Sequence, residues 1–163
     1  MVKVLSELKY YNANANGKNV GDCSRRSISL AYGKPYEQVA LDSRRLASAM
    51  GTRYQSNRVI YQLIKKYGYV WKKDAKDLGL DVEGRPTVGD VADHLPTGTY
   101  IVHCESPDKR QIAGHMVALI DGTLYDTWDS QKWLADTVVC ISEDAAEEVE
   151  TSDTSICSSC RRP

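Results

Sequence analysis

Three residues far apart in the chain carry side chains that could together attack a carbonyl group: Cys23, His115 and Asp126. A cysteine nucleophile needs a base to take its proton, a group to orient that base, and donors for the oxyanion that forms. Cys23 ends the polar, glycine-containing stretch NGKNVGDC and stands where CSRRSISLAYG is expected to begin a helix. There, unpaired N–H groups and the positive end of the helix dipole favour a thiolate. Asp22 is expected to cap the helix. The alternative is a half-buried cysteine that merely begins it, since lone cysteines usually behave as small hydrophobes.

His115 and Asp126 lie in GHMVALIDGTLYDTW, two strand-like runs joined by Asp-Gly, a strong hairpin signal. If Asp121 and Gly122 are the loop, Ile120 pairs with Thr123 and the register follows by counting outward. His115 then falls opposite Trp128, and Asp126 shares its face on the diagonal, within reach of the imidazole. A carboxylate there would fix the ring's tautomer and stabilise the imidazolium, and Trp128 could shield the pair from water. The alternative is a surface His–Asp pair. Asp129 competes for the role: a slip of one residue would exchange it with Asp126.

The elements that must position these groups fall into two blocks. CSRRSISLAYG, with Cys23, Ser27, Leu30 and Ala31 on one side, is expected to stop at Gly33. YEQVALDSRRLASAMG carries Val39, Leu46 and Ala47 at helical spacing and ends at Gly51. NRVIYQLIKKYG places Val59, Ile60, Leu63 and Ile64 in one stripe. After a mixed, charged stretch from Tyr69 to Arg85, TVGDVADHLPTG reads as a short helix with Thr87 and Asp90 in a capping box. The period then changes: GTYIVHC, GHMVALI, TLYDTW and DTVVCIS are short runs of strand character. VKVLSELKYYN near the start fits a strand or a helical turn. The order predicts an α+β domain over residues 1–142, helices packed on an antiparallel sheet. Residues 143–163, acidic and Ser/Thr-rich, are expected to form a flexible tail.

A length of 163 residues suits one domain with a real core. With 21 basic and 22 acidic residues, no overall field would draw in nucleic acid or an anionic membrane, and neither is expected as a partner. No apolar run approaches a membrane span, and the N-terminus carries no secretory signal. Five cysteines do not make an even disulfide framework, so a reducing cytoplasm is the expected setting.

The helix-opening cysteine, the hairpin histidine and the carboxylate after it resemble the papain-like cysteine peptidase superfamily, in the style of its small bacterial and phage-encoded members. The phrases GDCSRRSISLAYGKPYEQV and LPTGTYIVHC…GHMVALIDG carry the likeness across most of residues 15 to 130. The superfamily's order of Cys, His, then Asp or Asn is kept. The resemblance implies a papain-like fold, a protein or peptide substrate and no cofactor, with Cys23 as nucleophile, His115 as general base and acid, and Asp126 as orienting residue. Members place a Gln, or another polar residue, shortly before the cysteine for the oxyanion hole. No Gln stands there, so Asn19 takes the expected role, with Asn16 behind it and the Cys23 N–H as second donor.

The same constellation serves acyl and transglutaminyl transferases, and an idle fold of this type could act as a binding or inhibitor protein. Cys157 and Cys160 form a single CSSC pair, two ligands short of a closed zinc site, with Cys104, Cys140, His94 and His103 at no set spacing. No metal is therefore expected. His103 and Cys104 read as structural strand residues. The doublets at 25–26, 44–45 and 65–66 read as solvated helix faces, one of which could meet an acidic substrate.

Overall fold

The computed structural model describes residues 7–14, 22–111 and 114–143. Strand β1 (Glu7–Tyr10) precedes three helices, α1 (Cys23–Tyr32), α2 (Tyr36–Met50) and α3 (Asn57–Tyr67). Next come β2 (Trp71–Asp74), a 3-10 turn (Ala75–Asp77) and α4 (Val88–His94). The strands β3 (Gly98–Glu105), β4 (Gly114–Ile120), β5 (Thr123–Asp126) and β6 (Leu134–Glu143) complete the domain. All form one six-stranded sheet in the order β1-β5-β4-β3-β6-β2.

The expected α+β class holds, with one correction to the sheet. It is mixed, because β1 runs parallel to β5, Glu7 facing Thr123 through Tyr10 facing Asp126. A polar, largely exposed ELKY segment carries no sign of its direction, which the unresolved reading of this stretch reflects. The charged stretch after Tyr69 contributes β2, an edge strand on β6. Strand β6 also runs one residue past the expected boundary: the Glu143 carboxylate accepts a hydrogen bond from Trp71 Nε1 at 3.0 Å. The remainder of the acidic segment, with Cys157 and Cys160, lies outside the described residues, as does Asn19.

The helices end where their glycines require. Gly33 and Gly51 take left-handed φ values of 63° and 66°, and each backbone N–H returns to the last turn. On α3, the stripe of Val59, Ile60, Leu63 and Ile64 is buried as its spacing predicts. Each such side chain contributes roughly 1.5–3 kcal/mol relative to exposure. The Thr87–Asp90 capping box forms at the head of α4.

Alternation along the central strands builds a core on both faces of the sheet. Ile101, Met116 and Val139 pack with Ile28, Val39, Ile60 and Leu63 of α1–α3. Tyr100, Val102, Val117, Leu119 and Val138 pack with Val88 and Val91 on the other side. Helix α1 lies against β4. That contact brings its N-terminus to the end of the sheet where β4 begins and β3 and β5 finish. Among the described residues no helix is long and apolar enough to cross a membrane.

Candidate active site

Cys23 is the first residue of α1 and is half-buried. Asp22 occupies the N-cap position, but its side chain makes no capping hydrogen bond, contrary to expectation. Its fully buried carboxylate is instead ion-paired with Arg26, one turn along the helix, and accepts from Asn14 Nδ2 at 3.0 Å and Tyr36 Oη at 2.5 Å. The doublet at 25–26 is therefore not a solvated face. Arg26 is buried by this pairing, and Arg25 is buried with its guanidinium 4.7 Å from the Tyr54 ring centroid. A buried carboxylate one turn back for Arg26, and an aromatic ring from a distant loop for Arg25, overrode the usual preference of arginine for water. The doublets at 44–45 and 65–66 are exposed as read.

The hairpin forms in the expected register, with Ile120 opposite Thr123, Leu119 opposite Leu124 and Ala118 opposite Tyr125. Asp121 and Gly122 have φ values of 51° and 83°, the positive pair that a tight hairpin turn needs. Strand pairing stops before the level of His115, yet the diagonal contact is made: His115 Nε2 lies 2.7 Å from Asp126 Oδ2. Asp126 is held in turn by Ser130 Oγ, which donates to Oδ2 at 2.6 Å, and by the backbone N–H of Thr127, which donates to Oδ1 at 2.7 Å. Asp129, the competitor, is exposed and bonded to Gln131.

Trp128 lies beyond the end of β5, and its ring centroid sits 4.6 Å from that of His115. Trp133 packs edge-on to both, at 6.0 Å from His115 and 5.0 Å from Trp128. His115 is therefore packed against both indole rings, and both it and Asp126 are buried. With Nε2 committed to Asp126, Nδ1 is the ring nitrogen left for the Cys23 thiol, and the two side chains are hydrogen-bonded.

Burial alone would push the Cys23 thiol up. It is outweighed by the hydrogen bond and charge of His115, the backbone N–H of Met116 and the charge of Arg26, which together hold the thiol below its ordinary value. Burial likewise disfavours charge on His115. The hydrogen bonds and charges of Asp126 and Cys23 prevail and raise the ring to about 9. The two shifts describe one thiolate–imidazolium pair, each partner favouring the charged form of the other. Other thiols behave oppositely: burial pushes Cys104 well up and Cys140 up to about 11.

Cys23 and His115 open into a cleft of about 210 Å³ that Ser24, Gln55, Asn57, His103, Gly114 and Met116 also line. Sequence reasoning missed Gln55 and Asn57, which come from the loop before α3 and its first turn. No spacing links them to Cys23, and only the packing of α3 brings them near. It also assigned His103 with Cys104 to structure. Cys104 is fully buried and bonded to the His115 carbonyl, but His103 faces the cleft. Among the described residues no group of His, Cys, Asp and Glu is arranged to hold a metal ion.

No family model, no curated protein and no solved structure matches the chain significantly.

Proposed function

We propose that the protein is a cysteine-dependent hydrolase of papain-like type that cleaves a peptide or isopeptide bond in a protein or peptide substrate. One observation carries this reading. Cys23, half-buried at a helix N-terminus, is hydrogen-bonded to a histidine whose far nitrogen is fixed by a buried carboxylate, in an open cleft. Structural histidine–carboxylate pairs have no need of a thiol on the remaining nitrogen, nor of access from solvent.

The chemistry follows from the protonation states. The Cys23 thiolate attacks the carbonyl carbon, forming a C–S bond and placing negative charge on the oxygen. The Cys23 backbone N–H at the head of α1 is one donor for that oxyanion, and Asn19 is the proposed second. His115 gives its Nδ1 proton to the departing amine nitrogen as the C–N bond breaks, which leaves a thioester. It then takes a proton from water as the oxygen attacks the thioester carbon, and the C–S bond breaks, which restores the Cys23 thiolate and releases the acid product. Asp126 keeps the ring oriented and its positive charge offset throughout.

The first test is iodoacetamide labelling of the native chain between about pH 5 and 9, with mass spectrometry to locate the alkylated cysteine. Selective reaction of Cys23 near about pH 6, lost in His115→Ala, is the expected result. An ordinary titration of Cys23 would refute the armed site and favour a binding role for the fold. If the site is armed, added amine separates the outcomes: a transferase forms new amides, whereas a hydrolase only cleaves.

A further inference from the structure

The cleft holds a second imidazole that the mechanism does not use. His103, on β3, is paired in the sheet with Met116, while its neighbour Cys104 is paired with His115. The pairing of β3 with β6 shifts at this point: His103 faces Thr137 and Cys104 faces Ala135, so Asp136 is the extra residue of a bulge. A bulge turns a side chain out of the regular alternation. Here Asp136 Oδ2 comes within 3.2 Å of His103 Nδ1.

The other side of the ring is shaped as specifically. A Cβ built on Gly114 would lie 2.6 Å from His103 Nε2, closer than real Cβ atoms come, so a glycine is needed for the ring to lie there. Gly114 and His103 both line the cleft with Cys23 and His115. Among the described residues Nε2 has no hydrogen-bond partner. With the Nδ1 proton shared with Asp136, the neutral ring offers Nε2 as an acceptor.

We propose that His103 is a substrate-binding and specificity-determining residue, whose Nε2 accepts a hydrogen bond from an N–H group on the acyl side of the substrate, next to the carbonyl that Cys23 attacks. The inference rests on the thiol-hydrolase reading and adds a substrate class to it. Acyl groups with an amide N–H beside the reacting carbon, as in a peptide chain, are preferred over N-alkylated or ester analogues. Asp136 positions His103 by holding its tautomer.

The test uses alkylating probes that carry either that hydrogen or a second methyl group on the nitrogen, N-methyl-iodoacetamide and N,N-dimethyl-iodoacetamide. With either, the Cys23 sulfur displaces iodide and forms one C–S bond. Rates at Cys23 in the full chain, each divided by the rate with free cysteine, give an N–H preference. His103→Phe keeps a ring without an acceptor and is expected to lower this preference about three- to tenfold, the worth of one hydrogen bond. His103→Gln, which restores an oxygen acceptor, recovers most of it. Asp136→Asn, at a half-exposed position that should tolerate the change, lowers it about twofold by releasing the tautomer. An N–H preference unchanged in His103→Phe overturns the proposal, even if both rates fall together. Selective labelling of Cys23 in that case leaves the hydrolase reading standing. Failure of Cys23 to react selectively with either probe overturns both.

Discussion

Two histidine–aspartate pairs face one cleft, and they differ chiefly in water. His115 and Asp126 have side chains only 7% and 2% exposed, whereas those of His103 and Asp136 are 17% and 50% exposed. In the first pair the imidazole packs against two indole rings, and Ser130 and a backbone N–H satisfy the carboxylate. The second is closed on one side by Gly114 and open at its carboxylate. Burial makes the His115 pair strong because the field of Asp126 is barely screened, and it makes that pair costly to break. An exposed pair is worth at most about 1 kcal/mol, enough to favour one orientation of a ring. The same two residue types thus suit different tasks, charge storage in one place and hydrogen-bonded positioning in the other.

Making the same substitution in both pairs breaks the comparison most sharply. Asp126→Asn is expected to lower peptide turnover by about 10²- to 10⁴-fold, because His115 loses both its orientation and the offset to its charge. Asp136→Asn should change it no more than about threefold, as befits an exposed pair. Turnover of a fluorogenic peptide by the two variants checks this, and equal losses would abolish the distinction. His115→Ala should lower Cys23 alkylation at about pH 6 by roughly 10²-fold. An ordinary thiol is only about 0.3% ionised there, and His115 is a main partner that holds the Cys23 thiol below its ordinary value.

The pH profile sharpens the same point. Cys23 must be ionised, and its value is lowered by His115, Met116 and Arg26 against the effect of burial, so activity is lost only as pH falls through that lowered value. His115 must be protonated to release the amine, so activity is also lost as pH rises through about 9. The bell is therefore broad and centred between those limits. Asp126→Asn should bring its upper limb down, and Asp136→Asn should leave that limb in place. Trp128→Ala tests the role of burial itself. Removing a ring 4.6 Å from His115 admits water to the pair and should cost about two- to tenfold in turnover, with the upper limb moving down.

The contrast also explains what could be read from the chain. The buried pair is set by a hairpin, and the Asp-Gly turn fixes the register of everything counted outward from it, so His115 and Asp126 followed from two residues at the tip. Cys23 followed from helical spacing and the glycine that ends α1. The second pair depends on a bulge in β6, where Asp136 leaves the alternation, and nothing in LADTVVCIS marks that position. The direction of β1 was hidden for a similar reason: a short polar strand gives no pattern to orient. Arg25 and Arg26 were misread because charged residues are ordinarily solvated: the Tyr54 ring beside Arg25 comes from a distant loop, and Asp22, one turn before Arg26, is enclosed as its partner through contacts with Asn14 and Tyr36. Local pattern thus located the groups that local structure positions. It missed those placed by contacts between strands or between a helix and a distant loop.

Gly114 gives the smallest expected effect and a direct view of whether the two pairs act separately. It precedes His115 in β4, so Gly114→Ala leaves the hairpin register and the His115–Asp126 contact on the far side of the ring in place. The added methyl meets His103 at Nε2 and Cε1, the free end of a side chain that can swing toward solvent. The stability loss should be about 1 kcal/mol, read as a small fall in Tm. The N–H preference should drop to that of His103→Phe, while the pH dependence of Cys23 alkylation keeps its low-pH onset. If that onset moves toward an ordinary thiol value, the two imidazoles are coupled through the start of β4, and His103 belongs with the charge-storing pair instead of beside it.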